Sequence, residues 1–320
     1  MRAVVVTQFG GPEVLELRDD QPDPVAGPGQ VVVEIEAIGV NFRDIYERTG
    51  SYGGTPPLVA GVEGAGTVSA VGDGVTDLDV GRRVAWINGP GSYAERIALP
   101  AAKAVPVPDG ISAELAAAAL LQGTTAHYLA TDSYPIEAGD TVLVHAAAGG
   151  AGSLLTQVVK LRGGRVIATT STAEKAELAR NAGADEVLAY ESFAERAREL
   201  TGGEGVAAVY DGVGAATFDE SLHALRPRGT LVLFGSASGA VPPFEPMRLA
   251  TRSLFLTRPT LHHYTATREE LLARATQVFD WLEAGQLAVK VGARYPLEQA
   301  RQAQVDLESR RTTGSLVVLP

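Results

Sequence analysis

The chain has 320 residues, 45% hydrophobic and 20% charged, with a formal net charge of −11 and no cysteine. That length suits two globular domains, the acidic balance argues against a general nucleic-acid or acidic-membrane partner, and the missing cysteines exclude disulfides and every thiolate zinc site. No stretch reaches the roughly 18 uninterrupted apolar residues of a membrane helix, and MRAVVVTQFGG lacks the apolar run and small-residue cleavage site of a secretory signal, so a cytoplasmic location with no membrane partner is expected.

In chain order, short apolar strands come first, cut by glycine and proline: AVVVT, VVVEIEAIGV, GAGTVSAVG and RRVAWI. They predict a β-rich, twisted, partly closed sheet. The stretch SAELAAAALLQGTTAHYLA follows, with a Ser112 cap, Glu114 in the first turn and strong helix formers behind, and predicts a connecting helix. From residue 141, the apolar runs TVLVHA, GRVIATT, ADEVLAY, GVAAVYDGV and GTLVLFG alternate with helical stretches. This alternation predicts right-handed crossovers and an α/β, doubly wound parallel sheet covered on both faces. The segment SLFLTRPTL comes after the last of these strands and offers an edge for its twin, so a homodimer is expected; a strand covered within its own chain is the alternative. The helix REELLARATQVFDWLEAG and the strand GSLVVLP form a tail with no core of its own. It needs the N-terminal half as host, which makes one domain discontinuous.

The run TVLVHA leads into Ala147-Ala148-Gly149-Gly150-Ala151-Gly152-Ser153 and then a helix. Glycines there let the backbone approach a pyrophosphate, and the helix start offers free N–H groups and a positive dipole end. Ala147 replaces the first glycine of the usual GxGxxG. A glycine-rich turn alone also serves tight packing, but strand before and helix after predict a dinucleotide site. The second strand ends in Thr169-Thr170-Ser171, with no carboxylate until Glu174 and with Lys175 beside it. A carboxylate there would accept from a ribose 2′-OH and repel a 2′-phosphate, so NADPH is favoured. The plain alternative for Lys175 is a surface lysine near a helix start, where its charge is slightly unfavourable.

Taken together, several motifs are highly specific: Gly39-Val40-Asn41-Phe42-Arg43-Asp44, Gly61-Val62-Glu63-Gly64-Ala65-Gly66, Gln122-Gly123-Thr124-Thr125-Ala126, the AAAGGAG loop, Phe234-Gly235-Ser236-Ala237-Ser238-Gly239 and Thr313-Gly314-Ser315-Leu316. Through them the chain resembles the medium-chain dehydrogenase/reductase superfamily and, within it, the zinc-independent, ζ-crystallin-like quinone oxidoreductases. The resemblance implies a GroES-like catalytic domain (residues 1–122 and 258–320), an NADPH-binding Rossmann domain (123–257) and an active site in the cleft. It also implies Asn41, Phe42 and Thr125 beside the nicotinamide and Gly149, Gly150, Ala151 and Gly152 on the pyrophosphate. Ser171, Lys175 and Tyr190 would surround the 2′-phosphate, with Phe234, Gly235, Ser236 and Arg310 along the rest of the cofactor path. Phe42 as core, Thr125 as a back-bonding helix hydroxyl, Tyr190 as the aromatic end of DEVLAY and Arg310 as a solvated cation of a helix remain open.

Zinc-dependent relatives carry their catalytic Cys and His where this chain has Asn41 and Val62. Asn is a poor zinc ligand and Val is none, so no metal is expected. The adjacent His262 and His263 read as surface loop or subunit contact. Hydride transfer to a quinone then needs other groups to meet the developing oxyanion: the Asn41 amide, the Tyr46 or Tyr52 hydroxyl, or water. Two alternatives stay open: an enoyl or 2-alkenal reductase using the same cofactor geometry, and a non-catalytic NADPH-binding structural or RNA-binding protein.

Overall fold

The computed structural model describes residues 1–320. In chain order, β1 (Ala3–Val6), β2 (Leu15–Arg18) and β3 (Gln30–Val40) precede α1 (Phe42–Arg48). Strands β4 (Leu58–Val59), β5 (Glu63–Val71), β6 (Arg83–Trp86), β7 (Arg96–Pro100) and β8 (Val105–Pro106) lead to α2 (Ala113–Tyr128). Next come β9 (Thr141–Val144), α3 (Gly150–Leu161), β10 (Arg165–Thr169), α4 (Ala173–Asn181), β11 (Glu186–Leu188) and α5 (Phe193–Leu200). The chain continues through β12 (Val206–Asp211), α6 (Phe218–Ala224), β13 (Leu225–Leu233), β14 (Phe255–Thr257) and α7 (Leu261–Tyr264). It ends with α8 (Arg268–Glu283), β15 (Val291–Pro296), α9 (Ala300–Glu308) and β16 (Ser315–Leu319).

Two compact units result, one of Met1–Leu121, Thr265–Glu283 and Val289–Pro320, the other of Gln122–Tyr264 and Ala284–Ala288. In the first, a seven-stranded sheet runs β15-β16-β3-β5-β6-β8, with β7 also on β3. Strand β3 alternates buried Val33 and Ile35 with exposed Glu34 and Glu36, so one face is fixed inward and its register cannot slip. The core gathers Val31, Val33, Val84, Trp86, Tyr93 and Leu99 with Leu297 and Ala303 of the tail. The tail is anchored because β16 pairs antiparallel with β3, Leu316 opposite Val40.

In the second unit six parallel strands run β11-β10-β9-β12-β13-β14. Counted from β9, the order is the doubly wound 3-2-1-4-5-6, whose crevice lies where it reverses, at the carboxyl ends of β9 and β12. Strand β12, VAAVYD, is buried at every position, as a strand covered on both faces requires. No helix is long and apolar enough to cross a membrane.

Three sequence readings change. The segment SLFLTRPTL does not follow the last parallel strand; it supplies that strand, because Thr230–Val232 of β13 pair in parallel with Phe255–Thr257. His262 and His263 lie on the short helix α7, not in a loop, and are exposed. Arg310 lies past the end of α9, in a turn whose backbone it carries at φ +56°.

Gly39 shows how tightly the first unit closes around its carboxyl groups. A Cβ there would stand 2.3 Å from a Glu63 oxygen and 2.4 Å from the Ala117 carbonyl. Gly39→Ala is expected to lower stability by about 1–3 kcal/mol, since the backbone oxygen cannot retreat; an unchanged urea midpoint would count against this packing.

Candidate functional site

The turn after β9 carries Ala146 in the left-handed region, at φ +51°. A residue with a Cβ adopts that conformation only when its surroundings hold it. The Tyr190 hydroxyl accepts the Ala146 N–H at 3.2 Å, and the Ala146 carbonyl accepts the Gly149 N–H at 2.9 Å. Gly149 caps α3 with no side-chain bond, so the first N–H groups of a twelve-residue helix are not claimed by a capping side chain. A Cβ on Gly152 would stand 2.5 Å from the Ala146 carbonyl, and one on Gly150 would overlap the Gln122 amide at 1.8 Å. Glycine at both positions lets the helix start close against the turn and Gln122 lie beside it. Thr125 is buried in the part of α2 that belongs to this unit.

At the end of β10, Thr172 caps α4 by accepting the Lys175 backbone N–H at 3.2 Å. Ser171 is exposed and Lys175 half-buried, one on each side of that cap. Tyr190 lies beyond β11, which ends at Leu188, so it is not the end of the strand. Its ring stacks on His145 at 5.9 Å. Phe234, Gly235 and Ser236 follow β13, where the Phe234 N–H donates to the Asp211 carbonyl at 2.9 Å. A Cβ on Gly212 would meet the Phe234 ring at 2.9 Å, and one on Gly235 the Gly212 carbonyl at 2.5 Å.

Beneath these loops lies a buried polar network. His145 Nδ1 is 2.7 Å from the Thr169 hydroxyl and Nε2 is 2.9 Å from the Ser221 hydroxyl. Ser221 and Thr217 donate to one oxygen of Asp211, and the Val213 and Gly214 N–H groups donate to the other. The carboxyl ends of β9, β10 and β12 are thereby tied together. Hydroxyl partners can donate or accept, so a neutral imidazole is fully satisfied here. Burial lowers the His145 pKa to about 4, against the pull of Asp211.

In the first unit, Asn41 heads α1, and its backbone N–H donates to Asp44 at 2.8 Å. Its side-chain amide donates to Glu63 at 2.7 Å. The other Glu63 oxygen accepts the Leu121 N–H at 2.6 Å, and Tyr93 donates to Asp44 at 3.0 Å. Both carboxyls are fully enclosed, and burial raises Glu63 to about 8 and Asp44 to about 7. Asp44 Oδ1 has no partner, which a neutral carboxyl tolerates better than a carboxylate. One turn on, Tyr46 stacks on Tyr52 at 5.5 Å, Phe42 lies 6.3 Å from Tyr46, and the Arg43 guanidinium sits 5.6 Å from the Tyr52 ring centre. Asn41, Phe42, Tyr46 and Tyr52 are thus grouped on α1 and its following loop, while Arg310 stands in the turn before β16. Val62 is buried, and no group of three or more His, Asp or Glu is arranged to hold a metal ion.

An alcohol dehydrogenase GroES-like domain model matches residues 27–109, and a zinc-binding dehydrogenase model matches residues 150–281. Over 319 residues, 98% of this chain and 97% of the relative, the sequence is 47% identical to a quinone oxidoreductase of Pseudomonas aeruginosa. The chain belongs to the zinc-independent quinone oxidoreductases of the medium-chain dehydrogenase/reductase superfamily. It is 53% identical to a mycobacterial protein whose structure is complexed with NADPH, with a TM-score of 0.97 and both chains covered completely. It is also 41% identical to a 2-haloacrylate reductase of a Burkholderia species, over 99% of this chain and 98% of that one.

For this quinone oxidoreductase, sequence reasoning passed over His145, Asp211 and Glu63 as site residues. A signal was present. His145 and Asp211 end apolar runs of buried parallel strands, where a polar side chain must find a partner, and Glu63 is the only charged residue of a strand otherwise made of small residues.

The buried groups give the two units opposite pH dependence. Unfolded His145 takes a proton near 6.5 and the folded one not until about 4, so stability present above 6.5 is lost as pH falls through that window, by up to about 3 kcal/mol. Glu63 and Asp44 stay neutral when folded but ionise near 4.5 and 3.8 when unfolded, so their contribution is complete below those values. It is lost as pH rises towards about 8 and about 7. Urea midpoints across pH are expected to show a shallower acid limb in His145→Gln than in wild type; equal limbs would exclude His145 as the cause.

Proposed function

We propose that the chain reduces quinones by hydride transfer from NADPH, without a metal. The observation that carries the coenzyme choice is the end of β10, where Thr169, Thr170 and Ser171 stand in place of a carboxylate and Lys175 lies in the first turn of α4. The residues fit the group: a helix start closed by glycine against a fixed turn accepts a pyrophosphate, and hydroxyls with a cation accept a 2′-phosphate. The NADPH complex of the mycobacterial relative supports the same choice.

NADPH, when bound, supplies the hydride; the chain contributes binding, orientation and exclusion of water. In the unit of β9 to β14, which we read as the nucleotide-binding part, Gly149, Gly150, Ala151 and Gly152 receive the pyrophosphate. Ser171, Lys175 and Tyr190 receive the adenosine phosphate. Thr125, Phe234, Gly235 and Ser236 line the remaining path there. In the other unit, read as catalytic, the Asn41 amide meets the acceptor oxygen as charge develops. Phe42, Tyr46 and Tyr52 offer a flat aromatic surface suited to a planar acceptor, and Arg310 adds a cation for the coenzyme.

The second reading, reduction of an α,β-unsaturated acid or carbonyl, is favoured by the Burkholderia relative; the quinone reading rests on the more similar Pseudomonas one. Steady-state NADPH oxidation with a panel of quinones and enones separates them, and turnover confined to enones would overturn the quinone assignment. We also infer a homodimer, since β14 is an edge strand with Phe255 61% exposed and Met247 nearby in sequence 69% exposed. Light scattering is expected to give twice the chain mass of 33.3 kDa.

Lys175→Ala is expected to weaken NADPH binding about tenfold or more, the worth of a charge-assisted hydrogen bond, and to leave NADH binding unchanged. Gly152→Ala is expected to weaken both coenzymes, because the added methyl pushes the helix start off the turn. Titration of each variant with both coenzymes checks this pattern; equal losses for NADPH and NADH in Lys175→Ala would remove the 2′-phosphate contact.

A further inference from the structure

We propose that Glu63 is a positioning residue for the reaction, its carboxyl fixing which way the Asn41 amide is turned. The inference rests on the reading of Asn41 as the group that meets the acceptor oxygen. An amide is nearly symmetric in shape, yet turning it over exchanges a donor end for an acceptor end. A neighbour whose facing oxygen receives an N–H at the contact decides between the two.

Glu63 has the geometry for this. It is the first residue of β5 and has no exposed surface. One of its oxygens receives the Leu121 N–H at 2.6 Å, from a backbone group that cannot turn. The other receives Asn41 Nδ2 at 2.7 Å. The carboxyl occupies space that any side chain at Gly39 would take, since a Cβ there would stand 2.7 Å from the carboxyl carbon. The carboxyl therefore packs directly against the Gly39 backbone. Whether ionised or neutral, the oxygen facing Asn41 keeps a lone pair for the N–H. The Asn41 side chain is held at both ends, by the carboxyl and by the Asp44 backbone N–H that it receives in the capping box at the start of α1.

Glu63→Gln keeps the shape but brings one oxygen and one NH2 to two N–H donors. The oxygen goes to Leu121, whose N–H is fixed, and the NH2 faces Asn41, so the amide either opposes it donor to donor or turns over and loses the Asp44 N–H at the start of α1. The expected result is a fall in kcat with quinone of up to about 100- to 1000-fold, the scale of losing one oxyanion donor, with the NADPH Kd unchanged. The decisive measurement is the cycle with Asn41→Leu. If Glu63 acts through Asn41, Glu63→Gln costs nothing further in the Asn41→Leu background; a loss retained in full there overturns the proposal. Full kcat in Asn41→Leu alone would instead sink the reading of Asn41 itself. The wild type gives an answer independent of variant folding: in protein labelled with 15N asparagine, one Asn41 Nδ2 proton is expected to exchange slowly with solvent. Rapid exchange of both would overturn the assignment.

Discussion

Polar groups at the carboxyl ends of parallel strands have no ladder partner ahead of them, and in the second unit they are also shut away from water. His145 resolves this for three strands at once, with Thr169 of β10 on one ring nitrogen and, through Ser221, Asp211 of β12 on the other. An unpaired buried donor or acceptor costs about 1–3 kcal/mol, so the loops above these strand ends are held by a network with no cheap alternative arrangement. The left-handed Ala146 follows His145 directly, and the Tyr190 ring that stacks on His145 also receives the Ala146 N–H. The turn after β9 is held from below by this closed polar layer.

The first unit meets a related problem differently. Instead of neutral hydroxyls around an imidazole, it encloses two carboxyls near Asn41, and burial pushes both towards the protonated form. A buried carboxyl accepting N–H bonds from two elements constrains both, and Glu63 joins the start of α1 to the interior of α2. Asn41 is a hydrogen-bonded amide and Val62 a packed valine.

Much of this was legible from the residues. Alternation of buried and exposed positions in β3, the unbroken apolar runs of β9, β10 and β12, and the Ser112 cap of α2, whose hydroxyl accepts the Leu115 N–H at 3.1 Å, are local signals. The glycine turn and the hydroxyl-rich end of β10 were legible for the same reason: a few consecutive residues specify them. The edge strand Phe255–Thr257 was misread because an apolar run gives no sign of whether it pairs within its own chain. Glu63 and His145 were passed over because their partners lie 22 to 76 positions away, and Asp211 because its local partners matter only through His145.

The sequence by itself determined the two fold classes, the lack of thiolate ligands and the absence of a carboxylate at the end of the second parallel strand, since composition and short-range pattern carry each of these. Only the tertiary structure decided which polar side chains are buried and on whom they depend. Burial and hydrogen bonding are properties of what surrounds a group in space. For Asn41, Glu63 and His145 those surroundings come from strands and helices far off along the chain.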